Sequence, residues 1–279
     1  MAKHKNNPAR GDQRGRKKPP RDSRKGDGAP PSGGGLPLLY GKHAVFAALA
    51  NPERRIRRLL LTPEAHSNLK QEIDSALHKG GHENIQITTT DKRDLEGLLQ
   101  PGAVHQGLAL EAEAPPGQHI EDIIKKTEDD PKAAIVILDQ ATDPHNIGAI
   151  LRSAAAFGAA AVVIQDRNAP DITGTMAKAA SGALERVALV RTTNLARAME
   201  KAKAAGFWCI GLDGHATQTL AQADLKGRVA LVLGAEGAGL RRLTRENCDL
   251  LVKVPITDAV ESLNLSNAAA IALYEKARS

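Results

Sequence analysis

Six polar residues in the C-terminal half of the chain stand where a bound ligand could meet them. Asn146 and Arg152 lie six residues apart in DPHNIGAILRSAAAFG (143–158), and Glu236 lies among Gly234, Gly237 and Gly239 in LVLGAEGAGL (231–240). Ser262, Asn264 and Ser266 follow in VPITDAVESLNLSNAAA (254–270). Each segment reads as the end of a buried strand, a loop and the start of a helix, which is where an open α/β sheet holds its ligand. The set offers amides, hydroxyls, a carboxylate and a guanidinium. It contains no cysteine and no histidine placed for nucleophilic or metal chemistry; His145 reads as a loop residue beside Asn146.

Local structure accounts for many of these residues separately. Asn146 stands where an N-cap belongs, and Gly158 where a helix closes. Arg152, in the second turn after that cap, reads either as a solvated arginine or as a group at the ligand end of the sheet. The three glycines allow a sharp turn and a close approach to a ligand, while the serines and Asn264 are ordinary capping groups. Asp213, after FWCIGLD, reads as a turn or cap, or as a contact to a nucleotide ribose. Neither GxGxxG nor the lysine of a phosphate loop is found.

In this order the three segments resemble the three motifs of the SpoU, or TrmH-like, family of ribose 2′-O RNA methyltransferases. The resemblance is close over 134–277 and looser over 38–113, where a small substrate-binding domain often precedes the catalytic one. It implies S-adenosyl-L-methionine as cofactor, no metal, a parallel α/β sheet with a C-terminal trefoil knot, and a homodimer. It gives catalytic roles to the positions matched by Asn146, Arg152, Glu236, Ser262 and Asn264, and cofactor contacts to Gly234 and to the backbone at Val254 and Leu263. Leu38-Tyr40-Gly41 and His105-Gln106-Gly107 resemble the branch acting on guanosine of large-subunit ribosomal RNA, and the transfer-RNA branch commonly lacks this front domain. Where the family has Ile-Pro-Met and a Gly two residues on, this chain has Val254, Pro255, Ile256 and Asp258.

Methyl transfer to a ribose hydroxyl is an in-line displacement by a weak nucleophile, so the protein must align the pair and stabilise developing charge. A guanidinium stays protonated. Arg152 is therefore expected to hold an adjacent phosphate and stabilise alkoxide character, with Asn146 and Glu236 fixing its geometry. The cofactor is expected to rest on backbone groups with no charged side chain clamping it, and Gly234 to leave the space it needs.

The elements that position these residues fall into two blocks. After 133, the apolar runs AAIVILD, AAVVIQ, ERVALV, FWCIGLD, VALVLG and DLLVKVP alternate with helical patterns, as in a parallel sheet covered on both faces. Residues 38–113 read as a small α/β domain, with helices over GKHAVFAALANP and over PEAHSNLKQEIDSALHKGG as far as Gly80. IRRLLLT, IQITTT and GLALEAEA read as its strands. The Pro-rich and acidic stretch 114–132 reads as a linker with one helical turn.

Charge separates a third part. Residues 1–36 hold ten Lys/Arg against three Asp/Glu, a balance of +7 where the whole chain is +6, so the remainder is nearly neutral at −1. With seven Gly, five Pro and no aromatic residue, this arm is expected to be disordered and drawn to phosphates. The two cysteines, Cys209 and Cys248, have no ligand or disulfide spacing. A secretory signal and long apolar runs are absent, so the sequence points to the cytoplasm, no membrane, and ribosomal RNA as partner. The alternatives are a transfer-RNA ribose methyltransferase and a non-catalytic RNA-binding or ribosome-assembly factor, which would need none of the polar set. A nicotinamide oxidoreductase would need the missing GxGxxG turn.

Overall fold

The computed structural model describes Met1 and residues 36–279, and residues 36–279 form one compact unit. The basic arm therefore lies outside the described residues, apart from Met1 and Leu36.

A four-stranded sheet comes first, from β1 (Leu38–Tyr40), β2 (Ile56–Leu61), β3 (Gln86–Thr89) and β4 (Leu108–Ala112). Its order is β1-β4-β2-β3, with β4 antiparallel to both neighbours and β2 parallel to β3. Helices α1 (Lys42–Leu49), α2 (Pro63–Asn68), α3 (Lys70–Gly80) and α4 (Lys92–Leu98) connect these strands. The single helix expected from 63 to Gly80 is broken at Leu69, whose backbone (φ −114°, ψ 14°) leaves the helical region. Gly81, at φ 69°, is the residue that ends it.

The larger sheet contains seven parallel strands in the order β7-β6-β5-β10-β8-β11-β9. In chain order they are β5 (Ala134–Leu138), β6 (Ala161–Gln165), β7 (Ala188–Thr192), β8 (Trp208–Leu212), β9 (Gln218–Thr219), β10 (Val229–Leu233) and β11 (Leu250–Lys253). The six apolar runs are all strands, and the two-residue β9 adds an edge. From β5 the chain moves outward through β6 and β7, then returns to β8 on the other side and leaves a slot. β10 later fills it, paired along its length with both β5 and β8. The direction of strand order thus reverses at β5 and β10, so a ligand crevice is expected at their carboxyl ends.

Alternation along β5 assigns the two faces. Val136 and Leu138 join one core with α6 (Pro144–Ala156), α7 (Gly174–Ala180) and α10 (Leu265–Ala277). Ile135 and Ile137 join a second core with α5 (Ile120–Lys126) and α8 (Leu195–Ala204). The segment read as a linker thus contains seven helical residues that bury Ile120 and Ile123.

The first core continues into the front sheet through Leu39, Val45, Leu49 and Leu59. Close approach requires glycine at Gly174, where a Cβ would meet the Leu38 carbonyl oxygen at 2.4 Å. The buried Arg54 and Glu185 side chains add an ion pair across the same seam, with Nε to Oε1 at 3.1 Å. Burial lowers the Arg54 pKa, and Glu185 opposes that shift. Among the described residues no helix is long and apolar enough to cross a membrane.

Candidate active site

The three polar segments converge at the carboxyl ends of β5, β10 and β11. Helix α6 is capped by Asp143, whose Oδ1 accepts from the His145 amide at 2.9 Å, and Pro144 occupies its first position. Asn146 is therefore not the cap expected of it. This frees its side chain, which is buried at the helix entrance. Asn146 Nδ2 donates to Glu236 Oε1 at 3.0 Å, and Asn264 Nδ2 donates to the same oxygen at 2.9 Å and to Asn146 Oδ1 at 3.1 Å. The Leu265 amide adds a third donor to Glu236 Oε1 at 3.1 Å. Asn264 also caps α10, accepting from the Ser266 amide at 2.9 Å and its hydroxyl at 2.6 Å. Three donors converge on one carboxylate oxygen, so the cluster fixes three loops against each other with hydrogen bonds of the stronger, charge-assisted kind.

Beside it lies a cleft of about 830 Å³, within the usual size for a small-molecule site. Gly234, Glu236, Val254, Ser262 and Leu263 all line it. Ser262 is exposed, with no hydrogen-bond partner among the described residues. The loop from Pro255 to Glu261 is exposed as well, so Ile256 and Asp258, which depart from the family pattern, stand at the cleft's open side.

The space a Cβ at Gly234 would take belongs to its own loop: it would meet the Gly239 carbonyl carbon at 2.0 Å and the Leu240 nitrogen at 2.3 Å, while Gly234 itself lines the cleft. The missing side chain lets the loop close on itself, where the Gly239 amide donates to the Ala235 carbonyl at 2.9 Å. Gly237 and Gly239, with positive φ, instead have open space where a Cβ would stand. Charged side chains are also present, because Asp213, Glu236, Arg245, Lys253, Asp258 and Glu261 line the cleft. Arg245 pairs with the largely buried Asp213 at 2.9 Å, giving Asp213 a role beyond its turn.

Arg152 is elsewhere. It is exposed, with no hydrogen bond or ion pair among the described residues, and lines a second cleft with His145, Lys178 and Ser266. Six residues along a helix turn the side chain by about 240°, so Arg152 and Asn146 face different ways. The expectation that Asn146 and Glu236 fix Arg152 is not met within one chain, since both are engaged with Asn264.

Sequence reasoning also missed a buttress. Asp139, fully buried at the end of β5, accepts from the Arg241 amide at 3.0 Å and from its Nε at 2.7 Å. This pins the far side of the glycine loop. Among the described residues no group of three acidic, histidine or cysteine side chains could hold a metal. Both cysteines are free, and burial pushes each thiol up to about 12, which leaves them poor nucleophiles.

Comparison with known proteins defines the class. The SpoU rRNA Methylase family model matches residues 133–274, and the model for RNA 2′-O ribose methyltransferase substrate binding matches 38–118. The chain belongs to the SpoU rRNA methylase family. It is 38% identical to the 23S rRNA (guanosine-2′-O-)-methyltransferase RlmB of Pseudomonas putida, over 87% of this chain and 96% of that one. The RlmB protein of Pseudomonas aeruginosa is 40% identical over 85% and 94%. Among solved structures, the SpoU methyltransferase AviRb from Streptomyces viridochromogenes, in complex with AdoMet, superposes with a TM-score of 0.72. It is 26% identical, covering 86% of this chain and 89% of that one.

Proposed function

We propose that the protein is an S-adenosylmethionine-dependent RNA ribose 2′-O-methyltransferase acting on a guanosine of 23S ribosomal RNA. The observation that carries this reading is the Asn146–Glu236–Asn264 cluster beside the glycine-lined cleft, in a chain whose relatives over nearly their full length are named for that reaction. The cleft suits the cofactor: open backbone at Gly237 and Gly239 and apolar Leu263 and Leu265 can hold a nucleoside and a methionine chain, and carboxylates favour its positive charge. When bound there, S-adenosylmethionine supplies the methyl group. Val254 and Leu263 offer it backbone groups, Glu236 and Asn264 set the loop positions, and Ser262 faces the open side.

A guanidinium is no general base, so Arg152 stabilises charge on the ribose oxygen and holds the neighbouring phosphate. A homodimer accounts for its distance from Glu236. Ile271 and Tyr274 on α10 are exposed apolar residues that a second copy would cover, and in this proposed dimer Arg152 of one copy acts at the cofactor cleft of the other. In this reading residues 38–113 present the RNA, 114–132 connect, and 133–279 carry out methyl transfer with a C-terminal trefoil knot. Ribosomal RNA as substrate agrees with a cytoplasmic location. Incubating the full chain with radiolabelled S-adenosylmethionine and a mixture of unmodified 23S RNA and transfer RNA, then mapping the label, tests the reading. One labelled guanosine ribose is expected, and label on transfer RNA alone would overturn it.

A further inference from the structure

The second cleft, about 540 Å³ in volume, opens between the front sheet and helices α6, α7 and α10. His145, Arg152 and Lys178 line it beside the hydroxyls of Ser153, Thr175 and Ser266, and its lining contains no carboxylate. Several cations at the two sheets are compensated: Arg54, Arg58, Arg241 and Arg245 each meet an acid. Arg152 meets none among the described residues. Lys178 Nζ donates to Gln106 Oε1 at 3.0 Å, a neutral acceptor, and meets no acid among the described residues. Like charges gathered in a concave site favour an anion between them.

The position of Lys178 is set from the other sheet. Gln106 has a left-handed backbone (φ 56°), uncommon for a residue with a side chain. Its Oε1 also accepts from the Lys42 amide at 3.0 Å. The next residue, Gly107, is locked as well, because a Cβ there would meet Thr62 Oγ1 at 2.7 Å. A rigid turn on the front sheet thus aims a cation carried by the large sheet. Fastening the two sheets does not require that charge, since Gly174 against Leu38 and Arg54 on Glu185 already do so.

We propose that this cleft seats a backbone phosphate of the substrate RNA beside the methylated nucleotide, with Lys178 as its second cation after Arg152 and Gln106 as the residue that aims it. This rests on the RNA methyltransferase reading above. The test compares full-length wild type, Lys178→Met and Lys178→Arg with a 23S RNA transcript across a salt series. Methionine keeps the aliphatic chain that packs at Gly41, where Lys178 Cδ lies 2.7 Å from the position of a Cβ. In Lys178→Met the KM for RNA is expected to rise roughly tenfold and the logarithmic salt slope to shrink by about one, with kcat within about twofold. Cofactor affinity and unfolding temperature stay unchanged, and Lys178→Arg restores the slope. A Lys178→Met enzyme with wild-type KM and slope overturns the proposal, as does inorganic phosphate binding the wild type without competing with RNA. Wild type that binds cofactor but methylates no RNA overturns the functional reading instead.

Discussion

Two clefts lie on opposite sides of the first turns of α10 and differ in charge. Leu265 and Ala268 face the first, while Ser266, Asn267 and Ala270 face the second. The first has Asp213, Glu236, Asp258 and Glu261 against Arg245 and Lys253, with glycine loops along its wall. The second has only cations among its charged lining residues. A positively charged cofactor without phosphates suits the first, and a phosphodiester suits the second. The two clefts of one chain thus suit different ligands, and in the proposed dimer the second cleft of one copy meets the cofactor cleft of the other.

The comparison can be broken at its seam. Glu185→Ala would leave Arg54 buried without its carboxylate, a loss of about 3–5 kcal/mol in stability, read by urea unfolding. RNA affinity should fall with the loosened front wall, and cofactor affinity should hold. Arg152→Ala should cut kcat at least about 100-fold and leave calorimetric cofactor binding intact; near-normal turnover would make Arg152 a solvated side chain. Glu236→Ala strands three donors at about 1–3 kcal/mol each when buried, so cofactor affinity should fall about tenfold or more with RNA affinity nearly kept. The smallest effect is expected from deleting residues 2–35, which should weaken RNA binding and flatten its salt dependence without changing the modified nucleotide.

The strands are legible in the sequence because a parallel sheet buried on both faces writes continuous apolar runs, as in Ala134–Leu138 and Val229–Leu233. The three-residue β1 and two-residue β9 are too short to leave a pattern. Asp143 before Pro144 carries the cap signal, which releases Asn146 for the site. Helical periodicity alone separates Arg152 from Asn146. The partners of Glu236 are not legible as partners, since Asn146 is 90 residues away in sequence and only the fold joins them. The need for glycine at 234 is not legible either, since only the fold shows its own loop occupying the space of a side chain.

Hydrogen exchange on the full chain, with and without S-adenosylmethionine and a 23S RNA transcript, tests the division between the clefts most directly. Cofactor should protect amides in 234–240 and 254–265 and leave 102–107 and 174–179 unchanged, while RNA should protect the latter two segments. Cofactor protection centred on 102–107 and 174–179, with 234–240 unaffected, would contradict it.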